Sequence, residues 1–249
     1  MTGRVAGKVA LITGGASGLG AADARMLARE GASVVITDVN ETLGQQVAAS
    51  IPGALFIKHD VRDEAQWVAV VAETVRHFRR LDILVNNAGL VRFGNIEKCS
   101  LDDYRLHQSV MSEGAFLGCK HGIPAMARSG GGSIINVASI GGMKGISAIP
   151  AYAAAKGAII ALTRSAAVHC QEQRYGIRVN AIAPGAHETP MTASALSTLP
   201  EGDAGLDQVS QHGQGKPEDV ANLVLFLASD ESRQITGTCM VIDNGETIS

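Results

Sequence analysis

The sequence predicts an α/β domain built on a seven-stranded parallel sheet with helices on both faces, and three observations predict it. Short β-branched and aliphatic runs alternate with longer helical patterns along the whole chain, and such alternation makes parallel strands joined by right-handed helical crossovers. The composition, 46% apolar and 18% charged, is that of a chain that buries a core. Neither a Pro/Ser-rich linker nor an internal repeat divides the 249 residues, so one domain over 1–249 is expected.

The first strand is expected at 9–13, in the apolar run Val9-Ala10-Leu11-Ile12. Arg4 and Lys8 ahead of it faintly mimic a secretory signal, but the run is too short and glycines end it at once, so a buried strand is the better reading. It leads through Thr13-Gly14-Gly15-Ala16-Ser17-Gly18-Leu19-Gly20 into a helix over 19–30. Glycines there permit a tight turn and let backbone approach a pyrophosphate, and the helix N-terminus offers unpaired N–H groups. Gly14, Ser17, Gly18 and Leu19 are therefore candidates for holding a dinucleotide. The second strand, 33–37, leads to Asp38. A carboxylate at that place accepts hydrogen bonds from both hydroxyls of an adenosine ribose and repels a 2′-phosphate, and no arginine or lysine adjoins it in sequence, which favours NAD over NADP. The alternative is that Asp38 caps the helix expected over 41–50.

Strands at 55–58, 83–86, 133–138, 178–182 and 239–243 complete the sheet, with helices over 64–79, 101–127, 152–174 and 217–229. The helix from 101 has a capping signal, Ser100 followed three residues later by Asp103. The helix from 152 opens on Tyr152 and Lys156, a phenol and an ammonium four residues apart on one face. A free phenol titrates near ~10. A neighbouring ammonium and a positive nicotinamide ring both favour phenolate, bringing it toward the range of a working base. Ser139 stands where the fifth strand leaves the sheet, at the carboxyl edge where such folds bind ligands. Its hydroxyl is placed to hold a substrate oxygen. From 185 to 216 the chain shows no clear periodicity, and a segment of that length reads as an active-site lid, expected over 186–216.

A net charge of -3 and a pI near 6.2 give no electrostatic case for nucleic acid or an anionic membrane. No run approaches the ~18 consecutive apolar residues of a membrane span. Cys99, Cys119, Cys170 and Cys239 are scattered without CxxC or metal-ligand spacing, so no metal is expected and they read as reduced thiols of a cytoplasmic protein.

Together these features resemble the short-chain dehydrogenase/reductase family, over essentially the whole chain. The resemblance rests on residues 13–20, Asp60-Val61, Asn86-Asn87-Ala88-Gly89, Ser139, Tyr152 with Lys156, and Pro184-Gly185 with Thr189. It implies a doubly wound Rossmann domain, NAD as cofactor, and Ser139, Tyr152 and Lys156 as catalytic residues. By it, Asp60 and Val61 would contact adenine, while Asn87, Ala88 and Gly89 would line the cofactor. Pro184, Gly185 and Thr189 would sit against the nicotinamide. The stretch Gly118-Cys119-Lys120-His121-Gly122-Ile123, with residues 132–139, looks like bacterial hydroxysteroid and alicyclic alcohol dehydrogenases. That implies interconversion of a secondary alcohol and a ketone on an apolar cyclic substrate such as a hydroxysteroid, in a pocket walled by Ile140, Met143, Ile146, Ile149, Met191 and Leu196. A homotetramer is expected too. From Tyr152 to Cys170 only Lys156 and Arg164 are formally charged, too few for a polar outer face, and by the resemblance the helix over 101–127 pairs likewise.

Three positions depart from the family pattern. Met111 stands where an asparagine usually holds a water in the proton relay, and a thioether is at best a weak acceptor. Ser112 beside it points ~100° away around the helix. An alternative function follows, a nucleotide-binding protein of this fold with attenuated catalysis. His187 replaces a usual aliphatic residue, and a lone histidine is more often structural than a substrate contact. An arginine common before Lys216 is missing.

Overall fold

β1 (Val9–Thr13) and β4 (Ile83–Asn86) are buried at every residue. Helices cover both faces of the sheet here, which is why these strands read as unbroken apolar runs rather than alternating ones. They are the centre of a seven-stranded, wholly parallel sheet in a computed structural model that describes residues 3–197 and 212–248. The others are β2 (Ser33–Asp38), β3 (Leu55–Lys58), β5 (Gly132–Val137), β6 (Ile177–Pro184) and β7 (Cys239–Ile242), in the order β3-β2-β1-β4-β5-β6-β7. The chain runs outward from β1 to β3 and returns to pair β4 with β1. A crevice therefore opens above the carboxyl ends of β1 and β4, where doubly wound sheets bind ligands.

One face carries α1 (Gly18–Arg29), α2 (Glu41–Ala49) and the helix Pro217–Ala228; alternate strand residues such as Ala10, Ile12, Ile36 and Val85 pack into it. The other carries α3 (Glu64–Phe78), α5 (Gly114–Arg128) and α6 (Pro150–Glu172), packed on Leu11, Val35, Leu84 and Ile134. Fully buried Trp67 donates its indole N–H to the Val61 carbonyl at 2.9 Å, anchoring the turn after β3 to α3. α6 starts two residues before Tyr152, with Pro150 in its first turn, where a missing N–H costs nothing.

The helix expected over 101–127 is broken. α4 (Leu101–His107) passes through a π-helical turn at Gln108–Glu113 before α5 begins. The extra residue of a π turn rotates the helix face that follows it by ~100°, a change of phase inside an unbroken run of helix-compatible residues. The Ser100 cap is present, its Oγ accepting from the Asp103 N–H at 3.0 Å. β6 runs two residues further than expected, because Pro184 still pairs with Ile242. Of the expected lid, residues 198–211 lie outside the described residues; α7 (Pro190–Leu196) and a parallel bridge between His187 and Gly215 form its described part. No helix among the described residues is long and apolar enough to cross a membrane. Cys119 and Cys170 are buried and Cys99 and Cys239 half-buried, all four as free thiols.

Candidate active site

The turn from β1 to α1 is shaped by close backbone approach. Gly14 has φ +65°, and a Cβ there would lie 2.8 Å from Ala88 Cα. At Gly20 a Cβ would fall 2.4 Å from the Gly14 carbonyl oxygen, so α1 packs against the turn only with glycine. Asn87 fastens the turn from β4, its amide donating to the Thr13 and Gly14 carbonyls at 2.9 and 3.1 Å. The Thr13 hydroxyl in turn accepts the Asn87 and Ala88 N–H groups. Ser17 precedes α1 without capping it by its side chain, which leaves N–H groups of the first turn for an anionic ligand.

A cavity of about 350 Å³ runs from this turn to the far side of the sheet edge. Gly14, Ser17, Gly18, Leu19, Asn87 and Gly89 line its first half, while Ser139, Tyr152, Lys156, Pro184, Gly185 and Thr189 line its second. A neighbouring cavity of about 310 Å³ shares Gly14, Asp38 and Gly89 and adds Asp60, Val61 and Ala88. The fold thus brings every candidate residue to two adjoining cavities. Such a cleft, with a glycine turn and an uncapped helix N-terminus at one end, suits a dinucleotide.

Asp38 is not the cap of α2. That role belongs to Asn40, whose side chain accepts from the Leu43 N–H at 3.1 Å. The two Asp38 oxygens instead accept from Ala16 N and Asn40 N, at 3.1 and 2.9 Å, and line both cavities. One basic side chain, invisible to a search for sequence neighbours, also lines the second cavity. This is Arg62, whose guanidinium is tied to both oxygens of Asp60 and holds that carboxyl below its ordinary range. Beside them His59 is buried against Trp67, and burial pushes its imidazole down to about 4, so it is neutral.

At the other end, the Ser139 hydroxyl accepts the Gly141 N–H at 3.1 Å and donates to the Pro184 carbonyl at 3.4 Å. Lys156, 4% exposed, donates to the Val137 carbonyl at 2.6 Å, with its nitrogen 5.5 Å from the Tyr152 ring centre. The electrostatics correct one expectation. Burial pushes the phenol above its ordinary value, and the moderating influence is Ser139 rather than the ammonium. Lys156 is itself pushed down to about 7 by burial, so less cationic charge faces the phenol than the spacing alone implies.

Met111 is 1% exposed and packs with Ala115, Ala138, Ala155 and Ile159, against which Tyr152 also rests. The place of a polar relay group is thus filled by apolar packing, and Ser112 is only half-buried. His187, 5% exposed, donates from Nδ1 to the Gly185 carbonyl at 3.0 Å, packs against Gly215 and lines the cavity of about 350 Å³ beside Gly185 and Thr189. Among the described side chains of the expected pocket walls, Met191 alone lines the cavity of about 350 Å³, and Ile146 is half-buried. Ile140 and Ile149 are buried and Met143 is exposed, while the Leu196 side chain lies outside what the structure describes. Alternation of apolar residues in a loop does not say which way each one turns.

Comparison with known proteins assigns the family. A family profile, adh_short_C2, described as enoyl-(acyl carrier protein) reductase, matches residues 14–247. The 3-beta-hydroxysteroid dehydrogenase of Comamonas testosteroni is 43% identical, over 98% of this chain and 97% of that protein. The chain belongs to the short-chain dehydrogenase/reductase family. Trans-4-hydroxycyclohexanecarboxylate dehydrogenase of Sinomonas cyclohexanicum is 42% identical, over 98% of this chain and 94% of that protein. The crystal structure of levodione reductase superposes with a TM-score of 0.93 at 35% identity, covering 99% of this chain and all of that one. Short-chain dehydrogenase/reductases are oxidoreductases that use a nicotinamide cofactor.

Proposed function

We propose that this oxidoreductase interconverts a secondary alcohol and a ketone with NAD, on an apolar cyclic substrate such as a hydroxysteroid. The observation that carries the reading is the convergence of Ser139, Tyr152 and Lys156 in the cavity that also reaches the glycine turn and Asp38. Names of the similar proteins support the substrate class: they act on a hydroxysteroid and on a hydroxycyclohexane carboxylate. When bound, the nicotinamide supplies the hydride acceptor or donor. The chain supplies the rest. Ser139 holds the substrate oxygen, Tyr152 takes or gives the hydroxyl proton at its phenol oxygen, and Lys156 holds its ammonium beside that pair. Following absorbance at 340 nm with NAD and a panel of cyclic alcohols tests the reading; no turnover across hydroxysteroids and substituted cyclohexanols overturns it.

The choice of NAD rests on Asp38. Each oxygen accepts one backbone N–H and keeps a free lone pair for a ribose hydroxyl, whereas a 2′-phosphate there meets a like charge. Arg62, held by Asp60, is not positioned to relieve it. The unmodified protein is expected to prefer NAD(H), and Asp38→Ala to narrow the gap to NADP(H). Equal kcat/KM with both cofactors in the unmodified protein would refute the carboxylate's role.

Assembly as a homotetramer is part of the same reading. Ala154, Ala161, Ser165 and Val168 form an exposed stripe along α6, and on α5 Phe116 is 50% exposed. Small residues let a second helix approach closely, and a two-fold contact would cover both stripes. Light scattering during size-exclusion chromatography is expected to give a multiple of the 25.8 kDa chain; a mass of 25.8 kDa at micromolar concentration overturns this.

A further inference from the structure

Between β4 and α4 the chain from 87 to 100 has no helix or strand, so side chains and isolated backbone bonds have to hold it. Three of them do. Gly94 N–H donates to the Ala148 carbonyl at 2.9 Å, tying the segment to the loop ahead of Tyr152. The Arg92 guanidinium donates to Asp103 at 2.6 Å. The Arg92 backbone N–H donates to Nε2 of His107 at 3.1 Å. That imidazole is fully buried, and its ring stands edge-on to the Tyr152 ring, 6.5 Å between centres at 89°.

Both nitrogens of His107 are committed, with opposite polarity. Nδ1 lies 2.6 Å from the Asp103 carbonyl, which can only accept, so Nδ1 carries the proton. A backbone N–H can only donate, so Nε2 presents its lone pair to Arg92. The ring is therefore the neutral Nδ1–H tautomer, and a hydrocarbon of the same size cannot replace it without stranding the Arg92 N–H. His107 also sits one helical turn before Met111, which gives the phenol apolar packing only.

We propose that His107 is a positioning residue for the reaction: its neutral ring pins the 88–95 segment to α4 and sets the orientation of the Tyr152 ring. The proposal rests on the reading of Tyr152 given above. A ring turned or shifted by about 1 Å loses on the order of 10²-fold in rate, so the pin acts on catalysis through Tyr152 without touching substrate.

Two variants separate the acceptor from mere bulk. His107→Leu keeps size and removes the acceptor; His107→Gln presents an amide oxygen toward Arg92. Each is measured for amide hydrogen exchange at Arg92, for NADH affinity by fluorescence, and for kcat and KM with the best cyclic alcohol of the panel. In His107→Leu, Arg92 is expected to lose protection and kcat to fall roughly 10-fold or more, with NADH affinity unchanged. His107→Gln is expected to restore protection and bring kcat to within about 3-fold of the original. An Arg92 amide equally protected in His107→Leu overturns the proposal, whatever the enzyme turns over. So does an unchanged kcat in that variant, or a His107→Gln protein as slow as His107→Leu. If His107→Leu does not fold, His107→Gln decides alone, by keeping or losing both protection and rate. Failure of the Tyr152 reading shows separately, as near-normal turnover in Tyr152→Phe with Arg92 exchange undisturbed.

Discussion

Tyr152→Phe is expected to bind NAD(H) normally and to lose at least ~10²-fold in kcat, the lower end for removing a general acid or base. The substitution deletes one oxygen and keeps the ring, so its packing against the Met111 cluster and the edge of His107 survives. What disappears is the proton that substrate and protein exchange. Burial raises the phenol, so it is protonated at neutral pH and ready to donate to a ketone. Oxidation of the alcohol needs phenolate, and the rate in that direction should climb with pH by up to about tenfold per unit while the phenol titrates. The climb should vanish in Tyr152→Phe. Near-normal turnover by Tyr152→Phe, measured at 340 nm under saturating cofactor, would remove Tyr152 from the chemistry.

How much of this was legible in the sequence depended on whether a feature is local. The strands announced themselves because burial on both faces demands uninterrupted apolar residues, and all seven lie where the runs predict. The glycine turn was legible because Gly14 and Gly20 answer to backbone contacts that no other residue tolerates. Three features were not legible, each for a physical reason. The π turn at Gln108–Glu113 lies inside an unbroken run of helix-compatible residues, with no glycine or proline to mark it. Arg62 reaches the Asp38 cavity across strands, beyond any search of adjacent positions. His107 looks in sequence like one polar residue of a helix, and only packing shows that α4 buries it between Arg92 and Tyr152. In the β5–α6 loop the apolar residues expected as pocket walls take different environments, Ile140 and Ile149 buried, Ile146 half-buried and Met143 exposed.

Asp23→Ala is expected to stabilise the protein, on the order of 1–3 kcal/mol at neutral pH, by removing a buried polar group that nothing satisfies. Asp23 lies in the second turn of α1, past the first turn where the N-terminal dipole favours an acid. The fold places it on the inner face of α1, fully buried, with neither carboxyl oxygen hydrogen-bonded. Burial alone raises its pKa well above the ordinary value, so the native state holds a proton that the unfolded chain releases near its usual ~3.9. With the unfolded state binding fewer protons across that interval, native stability must fall as pH rises through it. The gain from Asp23→Ala should therefore be smallest near pH 4 and grow toward neutrality. Asp23→Asn keeps the shape and the unsatisfied polarity but cannot ionise, so it should abolish the pH dependence while recovering less stability than alanine. Urea unfolding of the three proteins from pH 4 to pH 8 measures both effects, and a stability difference between Asp23→Ala and the unmodified protein that does not change with pH would show that Asp23 folds already ionised.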